Sequence, residues 1–135
     1  SNSNTGATTI TVTLDSAATA GNLLIAILTR RFFSNTQNVT TPSGYTQCAD
    51  FSGDTNRRLV AYYKIAVGGE TAVTFTVDRV ACQCGFLLEY SGIDGTTPFD
   101  QVGYFDESDN SPAGVDVNLG PLTPTNANSL LVDFK

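Results

Sequence analysis

Strict two-residue alternation governs this chain, and it runs through nearly every segment that is not a turn. Ile10, Val12 and Leu14 alternate with Thr9, Thr11 and Thr13, so one face of an extended segment is apolar and the other is lined by threonine. That period belongs to a half-buried β-strand, because successive side chains on a strand point to opposite faces. Arg58 to Ala66 sets Leu59, Ala61, Tyr63 and Ile65 against Val60, Tyr62 and Lys64. Ala72 to Asp78 sets Val73, Phe75 and Val77 against Thr74 and Thr76, and Val80 to Tyr90 carries Val80, Cys82, Cys84, Phe86, Leu88 and Tyr90 on one face. Leu23 to Leu28 is apolar throughout, which suits a central strand covered on both sides. A short strand is expected from Tyr45 to Phe51, another near Gln101 to Phe105, and a last one beginning at Leu130 and running to Phe134. No segment reads as a helix longer than one turn.

Turn residues fall between these runs: Asp15-Ser16, Pro42-Ser43-Gly44, Ser52-Gly53-Asp54 and Val67-Gly68-Gly69-Glu70. Short strands separated by such turns predict an all-β fold, an antiparallel β-sandwich of jelly-roll or immunoglobulin-like type. With 135 residues there is room for one domain. Residues 1–7 are expected to be a flexible leader and 8–135 the sandwich. Thr19-Ala20-Gly21-Asn22-Leu23-Leu24-Ile25 resembles Asn126-Ala127-Asn128-Ser129-Leu130-Leu131-Val132, as if one turn-and-strand unit occurs twice. The second copy stops at Lys135, so the sandwich is expected to be incomplete at its C-terminus, with the last strands missing or supplied by a neighbour.

Charge narrows the partners. The net charge is −6, which disfavours nucleic acid because phosphates would be repelled. Residues 1–79 carry six basic and five acidic groups, whereas 80–135 carry one basic and eight acidic. No stretch approaches the roughly 20 apolar residues of a membrane span. Arg30-Arg31 and Arg57-Arg58 are basic pairs that either lie on an ordinary charged surface or face the acidic 94–116 region of an adjacent copy.

Chemistry is restricted by what is missing. With no histidine, a serine or cysteine nucleophile lacks its usual base, so an enzyme is not expected. The three cysteines Cys48, Cys82 and Cys84 read as buried thiols, or as one bridge from Cys48 to either of the others. No cofactor is required; calcium is the one ion whose oxygen ligands are at hand, in Asp106, Glu107, Asp109 and Asn110, with Asp50, Asp54 and Asn56 as a weaker set. For an adhesion or carbohydrate-binding alternative, the stacking residues are Phe32, Phe33, Tyr45 and Tyr104, placed at loop edges. Phe32 and Phe33 cannot both point inward on a strand.

Several of these strings occur together in a recognisable order. Gly21-Asn22-Leu23-Leu24-Ile25-Ala26, Pro42-Ser43-Gly44-Tyr45-Thr46, Arg58-Leu59-Val60-Ala61-Tyr62-Tyr63-Lys64-Ile65-Ala66, Leu88-Glu89-Tyr90-Ser91-Gly92-Ile93-Asp94 and Pro98-Phe99-Asp100 follow one another. Over residues 19–133 this resembles a diffuse family of β-sandwich modules in phage structural proteins (head or tail decoration, fibres) and bacterial surface proteins. Tyr45 stands where those modules usually have Trp, and Ser91 where Arg is common. The resemblance implies attachment to or decoration of a virion or cell surface, and it brings no catalytic residues. The expected function is therefore a structural module that packs against other subunits. Strand pairing would run through Thr8, Ile10, Val12 and Leu14, and through Leu130 and Val132.

Overall fold

The computed structural model describes residues 2–31, 38–54, 57–103, 123–125 and 129–132, with side chains from Ala7 onward and without those of 52–54. Six strands are present: β1 (Asn2–Thr13), β2 (Leu23–Arg31), β3 (Val39–Thr40), β4 (Thr46–Asp54), β5 (Arg57–Ile65) and β6 (Ala72–Tyr90). They form one antiparallel sheet in the order β1-β6-β2-β5-β4, with β3 pairing β6 off this path. The fold is all-β, and no helix occurs among the described residues. Among the described residues, therefore, no helix is long and apolar enough to cross a membrane.

The sheet curls on itself around β6. That strand is continuous over 19 residues and places Val73, Phe75, Val77, Ala81, Gln83 and Leu87 on one buried face. Its first half pairs with residues 9–13 of β1, and its second half pairs with β2 on one side and with 2–5 of β1 on the other. Ile10 and Val12 of β1 join Leu24, Ala26 and Leu28 of β2, Val60 and Tyr62 of β5 and the inner residues of β6 in a single core. Gly85 shows how close the layers come. A Cβ there would lie 2.5 Å from Val12 Cγ2 and 3.4 Å from Phe75 Cε2, although Val12 pairs with Val73 at the far end of β6. A second apolar cluster occupies the opposite face, with Ile27, Ala49 and Ala61 buried and Ile25, Phe51, Leu59, Phe86 and Leu88 half-buried around them.

The curl needs a corner, and β1 breaks its ladder to make one. Ala7 pairs with Ala81 and Thr9 with Thr76, so four residues of β6 pass opposite Thr8. Two buried polar side chains serve carbonyls at this corner. Arg30 Nη2 donates to the Arg79 carbonyl (2.8 Å) and Gln83 Nε2 to the Ala7 carbonyl (3.1 Å). Without these acceptors the buried Arg30 and Gln83 donors would lose the compensation for their desolvation.

Four expectations differ from what is observed. β1 begins at Asn2, so residues 2–7 are strand and not leader, because the long β6 offers them an edge. Residues 72–78 and 80–90 form one strand, since Asp78-Arg79-Val80 bends without a glycine or proline to end it. Gln101–Gly103 is not strand. Leu130–Val132 is not strand either, and Leu130 and Leu131 are exposed.

Candidate assembly surfaces

Pro42, Ser43 and Gly44 turn the chain into β4, with Tyr45 N–H donating to the Pro42 carbonyl (3.1 Å) and Gly44 at φ +79°. That φ is the third-residue geometry of a type II turn and favours glycine. The turn delivers Tyr45 to the edge of the core, half-buried, with the Lys64 ammonium 5.5 Å from its ring centroid. Burial, with Glu70 nearby, pushes its hydroxyl up to about 12. Tyr45 is thus engaged by Lys64 and the core, and is not an open stacking platform. Phe32, Phe33 and Tyr104 lie outside the described residues, as do Asp106, Glu107, Asp109 and Asn110. The weaker acidic set fares differently. Asp50 is gripped by Arg58 through Nε–Oδ1 (2.8 Å) and Nη2–Oδ2 (2.6 Å), which leaves its charge neutralised in place. Among the described residues no three acidic or cysteine side chains gather as a metal site.

The β1 surface divides by parity. Ile10 and Val12 are buried at 2% and 1% exposure, so their side chains belong to the core and are not available to a partner. Leu14 packs against the same core, and its N–H donates to the Thr71 carbonyl (2.8 Å). Thr8, Thr9, Thr11 and Thr13 are exposed, and Thr11 shares a hydroxyl hydrogen bond with Thr74 (2.8 Å). Since Leu14 and Thr71 are a hydrogen-bonded pair, alternation makes Val12–Val73 and Ile10–Phe75 bonded pairs as well. The N–H groups of Thr9 and Thr13 then point away from β6. β1 and β4 are the outermost strands of the described sheet. Leu130 is exposed and Val132 half-buried, and no strand pairing joins either of them to β1.

The cysteines are free thiols. Cys48 and Cys84 are half-buried and Cys82 is exposed. Burial pushes the Cys48 thiol up, which keeps it protonated and unreactive. The alternation of β6 was readable, but not which face is the deeper one. The face with Cys82, Cys84, Phe86 and Leu88 carries the larger side chains, yet the face with Ala81, Gln83, Gly85 and Leu87 is more buried.

Three further features went unanticipated. Tyr63 and Phe99 stack at 5.8 Å and 13°, holding the segment after β6 against β5. Glu89 accepts from Thr19 N–H (2.8 Å) and Asn22 Nδ2 (2.6 Å), tying the turn before β2 to β6. The two Arg-Arg pairs meet side by side, with Arg30 opposite Arg58 and Arg31 opposite Arg57. Such contacts join strands distant in sequence, so spacing along the chain carries no sign of them. Neither a family model, nor a curated protein, nor a solved structure matches this chain.

Proposed function

We propose that this chain is a non-enzymatic structural or decoration module of a virion or extracellular filament, acting through subunit packing and strand pairing. The observation that carries this reading is the position of β1, a Thr-faced strand at the border of the sheet whose apolar side chains are already spent on the core. What such a strand offers a neighbour is backbone, and strand addition uses backbone hydrogen bonds for affinity. The lack of histidine throughout the chain supports the non-enzymatic part. The engagement of Tyr45 by Lys64 weighs against adhesion to glycans as the main role.

Proline at Thr13 tests the reading. Its N–H points away from β6, so the substitution removes an outward donor and leaves the β1–β6 ladder in place. Thr13→Pro is expected to keep the melting temperature within a few degrees while abolishing self-association in sedimentation at about 1 M salt, where charge contacts are screened. A Thr13→Pro chain that assembles as the parent does, or a parent that stays monomeric and binds an arrayed glycan, contradicts the reading.

A further inference from the structure

The formal charges of the described sheet are sorted by end. Five of the seven basic residues converge where β2 finishes. Arg30 faces Arg58, Arg31 faces Arg57, and the Arg79 carbonyl binds Arg30. Like charges placed directly opposite on neighbouring strands are unfavourable. Here two such pairs stand in adjacent rows, one on each face of the sheet. In the inner pair Asp50 holds Arg58, and the field of Asp78 acts on both arginines. Arg31 and Arg57 form the outer pair and are exposed, as is Arg79. Counting Asp50, Asp54 and Asp78 against the five arginines, the described residues of this end sum to +2.

The other end has the opposite sign. Leu23 and Leu24 start β2 beside Lys64 and Glu89, and the loops at this end bring Asp15, Glu70 and Asp94. Phe99, stacked on Tyr63, holds Asp100 near the same end. Among the described residues Lys64 is the one cation at this end, and with these five carboxylates it sums to −4. Nine residues of β2 separate the two ends by about 26 Å. That exceeds the Debye length of about 8 Å at physiological salt, so each end acts on its surroundings as a separate patch.

We propose that copies of this chain associate end to end, with the arginine end formed by Arg31, Arg57 and Arg79 docking on the acidic end of the next copy. The inference rests on the assembly reading above and names its partner as a second copy. A contact between two different patches is heterologous, so it propagates into a ring or a filament and does not stop at a dimer. Charge complementarity would govern its encounter rate and its salt dependence.

The test is sedimentation of the full chain at low ionic strength and at about 1 M salt, where the Debye length is about 3 Å. The parent is expected to gain mass with concentration at low salt and to fall back at high salt to the species that β1 pairing alone holds. Two charge reversals separate the ends: Arg31→Glu with Arg57→Glu takes the arginine end from +2 to −2, and Asp15→Lys with Asp94→Lys and Asp100→Lys takes the acidic end from −4 to +2. Each variant alone is expected to lose the salt-sensitive association, and an equimolar mixture is expected to regain it, because each reversed end then meets an end of opposite sign. Asp94 bonds Thr96 N–H and the Thr97 hydroxyl, and Asp100 bonds Thr125 N–H and its hydroxyl, so if their replacement lowers the melting temperature, Asp15→Lys alone is used; it halves the acidic end to −2 and is expected to weaken the salt-sensitive association without abolishing it. Association that ignores salt and survives both reversals overturns the end-to-end contact, while leaving assembly through β1 standing. A monomer in every condition overturns both readings. A monomer that binds heparin through Arg31 and Arg57 reassigns the arginine end to a polyanion.

Discussion

Gly85 carries more of the architecture than any large side chain. Glycine within a strand ordinarily weakens it, and alanine would be favoured by about 0.5–1 kcal/mol. Here the space for a Cβ is taken by Val12 Cγ2 at 2.5 Å, with Phe75 behind it. Val12 is buried and β-branched, so it has no easy alternative rotamer. Overpacking should win, and Gly85→Ala is expected to destabilise by about 1–3 kcal/mol in denaturant titration. The double variant with Val12→Ala should be less destabilised than the sum of the two single changes, because the residues touch. A melting temperature raised by Gly85→Ala would contradict the close approach of the layers. Gly85 appears in the sequence only as a gap in an apolar run; its meaning depends on Val12, which is 73 positions away. Arg30 was similarly opaque. Its burial follows from the corner at Arg79, which alternation does not announce.

Strand elements were legible where a turn ended them. β2, β5 and the first half of β6 lie close to where the apolar pattern places them, since Gly21-Asn22 precedes β2 and Gly68-Gly69 separates β5 from β6. The extent of β1 was not legible, because Asn2 to Gly6 has no apolar alternation and is recruited by backbone pairing to β6. The turn between β5 and β6 offers a test at this scale. Glu70 accepts from Val67 N–H (3.0 Å) and Gly68 N–H (2.9 Å), and pairs with Lys64 at 2.7 Å. Lys64 above all, then the Val67 amide, hold its carboxyl down at about 2, against an ordinary 4.5. A carboxyl lowered on folding contributes stability that is complete above 4.5 and is lost as pH falls toward 2. The melting temperature should therefore drop across that window, and Glu70→Gln should flatten part of the drop. Identical acid limbs for parent and variant would show that the turn contributes nothing. Removing Lys64 by Lys64→Met should move the Glu70 carboxyl back up, which a carboxyl-resolved NMR titration would read directly.

For the whole molecule, the two-residue period and the lack of any helical run point to an all-β fold, and the described residues form an antiparallel sheet. What alternation does not reveal is that one sheet wraps its own core, with β6 serving both halves. Nor does it show that β2 and β5 align two arginine pairs, since those strands are brought together only by the topology. The candidate sites were less legible than the fold. Ile10 and Val12 belong to the core, Tyr45 is engaged by Lys64, and the Thr face of β1 is exposed. Assembly through β1 is the central claim, and amide hydrogen exchange reads it most directly. The Thr9 and Thr13 amides are expected to exchange quickly in dilute solution and to become protected when the chain assembles, while Ile10 and Val12 amides stay slow throughout. Thr9 and Thr13 amides that exchange equally fast in the assembled and dilute states would contradict it.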